Sequence, residues 1–297
     1  MIRKKRQCMK TRPWTSGFTF SLFVTIAHAT ATTLNYHGAI EQTFTVPSTG
    51  MYQIIAYGAQ GGSSTVGASQ TPGGKGGEIG GNFLLTGGEV IDIYVGGAGG
   101  STGFNGGGGG GTFVVGPANT PLVVAGGGGG AVPGKPGQVG QATAASSNGG
   151  AGGGDTGGGG GGGFTGNGSD GILSDNAGGH GGLGFPILTG GAGDSFLVDG
   201  AGGFGAGGGA GAGGGGGGGG YSGGNGGDGI VGDSGGGGGS FDSGTGQILI
   251  GGEKSGNGEA IISLIPNATP EPATFGLFSM SLVGLSFVAF HNRTKSL

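Results

Sequence analysis

Residues 106–115 read Gly106-Gly107-Gly108-Gly109-Gly110-Gly111-Thr112-Phe113-Val114-Val115. Six residues without a side chain run straight into four with strong strand preference. Working outward, 93 of the 297 residues are glycine, and all but Gly17, Gly276 and Gly284 lie between Gly38 and Gly258. Collagen is excluded, because Gly106 to Gly111, Gly157 to Gly163 and Gly213 to Gly220 are unbroken runs where collagen needs Gly-X-Y. Two readings remain: a floppy linker, or backbones that pack on one another without side chains.

Short segments rich in Val, Ile, Tyr and Phe punctuate the glycine: Thr43 to Val46, Tyr52 to Tyr57, Val90 to Val95, Thr112 to Val115, Leu122 to Ala125, Gln247 to Ile250 and Ala260 to Ile265. Their length and their Gly/Pro boundaries predict antiparallel strands of a sandwich or jelly roll. Pro47-Ser48-Thr49-Gly50 has the residues of a hairpin turn between the first two. Strands early and late in the chain imply that distant segments pair in one sheet, with an insert over about 126–246 looping out. Phe113, Phe164, Tyr221 and Phe241 each follow a long glycine run within two residues, as if the runs ended against an apolar surface. Glycine can adopt an extended threefold helix of the polyproline II type, and several such helices can exchange backbone hydrogen bonds. Ordering each residue costs roughly 1–2 kcal/mol, so such a bundle needs a β template.

The termini address the chain. Arg3, Lys4, Lys5, Arg6, Lys10 and Arg12 precede an apolar stretch, Phe18 to Ala27, and the small-x-small triplet Ala27-His28-Ala29. That order predicts a signal peptide over 1–31, with Ala27 and Ala29 as the small residues of the signal-peptidase site. The only cysteine, Cys8, falls inside it, so disulfides and thiolate sites are excluded from the exported part. At the other end Pro270-Glu271-Pro272 is followed by a mostly apolar stretch, 273–290, and then by Arg293 and Lys295. Eighteen apolar residues just suffice for a membrane helix, with its basic end cytoplasmic. Without the two ends, Lys75, Lys135 and Lys254 face 14 acids, a net charge of −11. Such a surface repels nucleic acid and anionic lipid.

The tail over 267–297 resembles the PEP-CTERM sorting signal of Gram-negative bacteria. The resemblance implies recognition of Pro270, Glu271 and Pro272 by an exosortase-type membrane protease, and release to the cell surface or extracellular polysaccharide matrix after transient anchoring; the alternative is a permanent anchor. A second resemblance rests on the segment Phe44 to Tyr52 followed by Ala56-Tyr57-Gly58-Ala59-Gln60-Gly61-Gly62, on Gly74-Lys75-Gly76-Gly77, on Gly106 to Val115, on Leu122 to Gly130 and on Gly218-Gly219-Gly220-Tyr221-Ser222. These resemble the glycine-rich domain in the ectodomains of anaplastic lymphoma kinase and leukocyte tyrosine kinase. That resemblance implies a tumour-necrosis-factor-like sandwich carrying polyglycine helices, and a part in binding a protein ligand. No kinase motif accompanies it. The expected fold is thus all-β: a jelly-roll-like antiparallel sandwich over 32–266 with a polyglycine II insert, flanked by two hydrophobic terminal helices.

Catalytic patterns are thin. Gly220-Tyr221-Ser222-Gly223-Gly224 and Gly232-Asp233-Ser234-Gly235-Gly236 look like segments around hydrolase nucleophiles, but outside the terminal segments only His37 and His180 could serve as bases. The reading is non-enzymatic. Gly223 to Val231 fits the calcium-binding β-roll nonapeptide, with Asp228 as a ligand and Ile230 buried, and Thr165 to Leu173 nearly repeats it with Asp170 and Ile172. Asp170, Asp228 and Asp233 are therefore candidate Ca²⁺ ligands, although the two copies are not in tandem. Three functions stand open: an exported structural or adhesive protein, a surface module binding glycan or protein, and a calcium-dependent Gly/Asp-rich module.

Overall fold

The computed structural model describes residues 31–266 except 102, 103, 173–176, 196 and 198. Both expected terminal helices, with Ala27, Ala29, Pro270, Glu271 and Pro272, lie outside the described residues. Among the described residues no helix is long and apolar enough to cross a membrane.

The described chain is all-β. In order its strands are β1 (Ala31–Asn35), β2 (Gln42–Thr45), β3 (Gly50–Tyr57), β4 (Ser64–Val66), β5 (Ser69–Thr71), β6 (Gly76–Leu85), β7 (Val90–Tyr94), β8 (Thr112–Gly116), β9 (Thr120–Ala125), β10 (Phe241–Asp242), β11 (Thr245–Lys254) and β12 (Glu259–Leu264). Two five-stranded antiparallel sheets form, in the orders β1-β12-β3-β6-β11 and β10-β9-β8-β7-β2, while β4 and β5 make a separate ribbon. β3 shows why: Tyr52, Ile54 and Ala56 are buried and alternate with half-buried Met51, Gln53, Ile55 and Tyr57, the period-two pattern of a strand with one face inward. Those inward residues meet Ile79, Ile91, Ile93, Val114, Val123 and Ile262 in one core. As expected, late strands complete early sheets: β12 pairs with β3 and β1, β11 with β6, and β10 with β9.

One expectation fails. Pro47 to Gly50 makes no hairpin, because β2 pairs with β7 and β3 with β12 and β6. The turn residues carry the chain from one sheet to the other. Turn chemistry fixes a change of direction, and the sheet that accepts each strand is chosen by non-local pairing.

The second sheet is buried on both faces at its central strand. β8 is buried at all five positions. Its outer face carries Phe113 and Val115, which with Val124 of β9 form a second core against Leu188 and Ala206 of the insert.

Above the sheets the glycine segments form a hydrogen-bonded bundle. In the run 106–111, Gly106 and Gly109 donate to Ala131 and Gly128, Gly107 and Gly110 to Gly100 and Gly97, and Gly108 and Gly111 to Gly208 and Gly205. The partner changes with a period of three. The carbonyls of the same run accept from Gly216 and Gly219, from Gly62 and Ala59, and from Gly203. Gly215 to Gly220 repeats the rule, donating in rotation to Asp233 and Gly236, Gly106 and Gly109, and Gly159 and Gly162. Each such run therefore has hydrogen-bonded neighbours on several sides, so close that a Cβ at Gly108 or Gly217 would meet a neighbouring backbone. Segments before the insert, including 58–62 and 96–100, share this bundle with segments inside it.

Topology gives the molecule two poles. Ala31 pairs with Ser263 and Leu264 with Tyr52, so β1 begins and β12 ends at one pole. At the other, β3, β7 and β9 run out into Gly58, Gly96 and Gly126, and the Thr112 hydroxyl ties the sheets together by donating to the Tyr57 carbonyl, 2.6 Å.

Candidate functional site

Side chains are scarce in the bundle, so the places where they gather stand out. The first is the seam between bundle and second sheet. Phe185 stacks on Phe164 with centroids 4.8 Å apart, Phe164 on Tyr221 at 5.6 Å, and Tyr221 on Phe241 at 4.4 Å. Three of the four aromatics that follow glycine runs are in this ladder, and the fourth, Phe113, stacks on Phe185. Sequence reasoning missed Phe185, which follows no run. The ring faces of Phe164 and Tyr221 are covered by one another and by their neighbours. The ladder is a clasp between insert and sheet.

The second place is the far end of the bundle, one run beyond the sheets, at roughly 3.1 Å per residue some 19 Å past β8. Here the turns of several glycine segments surround a cleft of about 590 Å³ open to solvent, lined among others by Phe104, Asn105, Val132, Lys135, Leu197 and Val231. The turns lack the constraint that keeps the runs bare, and their side chains return: Phe104 is 49% exposed and Val231 61%. Lys135 Nζ donates to Asp233 Oδ1 at 2.6 Å and to the Val231 carbonyl at 3.1 Å, so its charge is matched.

Two carboxylates accept backbone N–H groups of residues that line the cleft. Asp199 is buried and its Oδ1 accepts the Asn105 backbone N–H at 2.9 Å, while Oδ2 has no hydrogen-bond partner among the described residues. Burial pushes its carboxyl up to about 6; the Asn105 N–H works against the shift and the nearby Asp194 adds to it. Asp194 is also buried, and its Oδ2 accepts the Leu197 N–H at 2.9 Å. Asn105 Nδ2 completes the wall by donating to the Gly211 carbonyl, 2.8 Å. Neither Asp194 nor Asp199 carries a motif, and only long-range folding places the Asp199 carboxylate beside the Asn105 backbone.

The sequence-predicted calcium ligands are dispersed in role. Asp170 Oδ1 accepts the Gly181 N–H at 2.7 Å and lies 3.5 Å from His180 Nδ1. Asp228 Oδ1 accepts the Ile230 N–H at 2.8 Å, and Asp233 pairs with Lys135. Among the described residues no group of three such side chains is placed to hold a metal ion. The β-roll expectation that Ile230 is buried is overturned: it is 78% exposed, and Ile172 is 58% exposed. The repeat also places hydrogen-bonding side chains at the bundle edge. In Asn167-Gly168-Ser169-Asp170 the side chains three apart share one face of a threefold backbone, and Asn167 Oδ1 and Asp170 Oδ1 accept the N–H groups of Gly184 and Gly181, also three apart. In the second copy Asn225 Oδ1 accepts the Ala151 N–H, and Asp228 lies against Gly154, three residues on. The motif caps the edges of the bundle.

Of the hydrolase-like strings, Ser222 lies in a bridge to Gly239, and His180 faces Asp170. Comparison with protein-family models and with curated proteins finds no match.

Proposed function

We propose that the chain is an exported, non-enzymatic structural or adhesive protein of the cell surface or extracellular matrix. Signal peptidase removes the signal peptide over 1–31, cutting at the site marked by Ala27 and Ala29, and an exosortase-type protease recognises Pro270, Glu271 and Pro272 while 273–290 holds the chain transiently in the inner membrane. Its body is a jelly-roll-like sandwich of the tumour-necrosis-factor type carrying a polyglycine II bundle, in keeping with its resemblance to the glycine-rich receptor domain. The observation that carries this reading is the placement of both described chain ends at one pole and of the bundle at the other. A tail at the first pole holds the bundle outward, and a body stabilised by backbone pairing needs no disulfide outside the cell. The test is Pro270→Ala with Pro272→Ala in the producing cell: the protein is expected to stay membrane-bound at unreduced mass. Release at the normal rate would overturn sorting by the tail and leave the scaffold reading in place.

A second reading, a surface module that binds glycan or protein, is favoured by the cleft at the outward pole. Calcium dependence would require Asp170, Asp228 and Asp233 to give up the partners they hold.

A further inference from the structure

Five asparagines among the described residues are followed by glycine: Asn105, Asn148, Asn167, Asn225 and Asn257. The side-chain amide of asparagine is open to attack at Cγ by the backbone nitrogen of the next residue, and glycine presents that nitrogen with no side chain in the way. The attack needs a nitrogen outside any hydrogen bond and an amide free to turn. At four of the five pairs the fold removes both. Gly106, Gly168, Gly226 and Gly258 donate to the carbonyls of Ala131, Gly182, Ala151 and Gly96 at 2.8 to 2.9 Å. The amides before them are held as well: Asn105 Nδ2 donates to the Gly211 carbonyl at 2.8 Å, and the Oδ1 atoms of Asn167, Asn225 and Asn257 accept the N–H groups of Gly184, Ala151 and Ala98 at 2.9 to 3.0 Å. Asn148-Gly149 is different. The Gly149 N–H has no hydrogen-bond partner among the described residues, Asn148 is exposed, and its Oδ1 accepts only the Thr165 hydroxyl, at 3.4 Å.

We propose that Asn148-Gly149 is a site of spontaneous covalent modification, at which the folded chain cyclises to a succinimide and opens to aspartate or isoaspartate. The Gly149 nitrogen forms a bond to Asn148 Cγ, the Cγ–Nδ2 bond breaks, and the Gly149 proton leaves with the side-chain nitrogen as ammonia. One water molecule then opens the ring, so water is the only co-reactant and nothing is oxidised or reduced. The other four pairs react only when the bundle opens locally, because their glycine N–H groups must first leave the carbonyls that hold them. The product matters to the bundle. Isoaspartate carries one more atom in the main chain, and it stands between the Ser147 and Asn148 carbonyls, which accept from Thr165 and Gly223, and the Gly150 and Ala151 carbonyls, which accept from Ser169 and Gly226. A run whose partners rotate every three residues cannot absorb an extra atom and keep both sets. The assignment is independent of the tail and of either functional reading.

Peptide mass mapping of the full chain, kept for days at mildly alkaline pH with and without denaturing urea, tests it. In urea all five Asn-Gly pairs are expected to show the mass gain of amide-to-acid conversion at similar rates. In the folded chain the peptide holding Asn148 is expected to convert at least about tenfold faster than any peptide holding the other four, the factor that about 1.4 kcal/mol of opening cost supplies. Asn148→Ser, a change at an exposed side chain, should abolish that fast conversion. Hydrogen exchange on the converted protein should show protection lost at Gly223 and Gly226 and kept in β3 and β6. Conversion of Asn105, Asn167, Asn225 or Asn257 in the folded chain as fast as that of Asn148 would overturn the assignment. So would an unconverted Asn148 in a folded sample whose urea counterpart has reacted, or a fast conversion that survives Asn148→Ser.

Discussion

At Gly108 an added Cβ would land on the Gly217 carbonyl, the backbone of the next run. No rotamer change relieves such a contact, so Gly108→Ala should cost about 3 kcal/mol or more. Gly116→Ala is the control, because the nearest atom to its Cβ is Leu122 Cδ2 at 3.5 Å and its φ is an ordinary −85°. Thermal melts of the two variants should separate them clearly. Asp199 carries the residue-scale pH dependence. Its folded-state carboxyl holds a proton up to about 6 against an ordinary value of 3.8, so between those limits the folded chain binds more protons than the unfolded one. Stability therefore falls as the pH rises from about 4 to about 6 and then levels. Asp199→Asn should flatten that part of the curve in urea titrations, since its amide keeps an acceptor and never ionises; a slope unchanged by the substitution would mean another group is responsible.

Among elements, the aromatic ladder decides whether the insert stays on the second sheet. Tyr221→Ala should cost about 3 kcal/mol. Hydrogen exchange should show the loss first in the amides of 158–163, with β3 and β6 still protected. Equal loss in both would show that sandwich and bundle unfold as one unit. The seven strands read from the sequence all form, within a few residues at their ends. β6 was not legible, because Gly76, Gly77, Gly80 and Gly81 dilute its strand signal. A Cβ on Gly81 would come within 2.7 Å of the Asp242 carboxylate. The Asn-Gly-x-Asp repeat is legible in the sequence, but its use is not. Its spacing suits calcium ligands if the backbone is a β-roll, and edge caps if the backbone has threefold symmetry, and only the neighbouring segments determine which.

For the whole molecule, those caps predict that millimolar Ca²⁺ leaves the melting temperature unchanged, because each candidate carboxylate is already engaged with an N–H or an ammonium group. A rise of several degrees would restore the calcium reading. The two poles also give each part its place: the described chain ends together at one, and the cleft at the other, separated by the length of the strands and of a glycine run. The sequence by itself determined the all-β class, the pairing of early with late strands, the absence of disulfides and the aromatics that end the runs, because all of these follow from local composition and order. The tertiary structure alone decided which sheet takes β2 and β3, which glycine run lies beside which, and that Phe104, Asn105, Val132 and Val231 line one cleft. The physical reason is that glycine carries no side chain to address it. A bare backbone can pair with any other of its kind, and its neighbours are chosen only when the sandwich fixes where each run begins and ends.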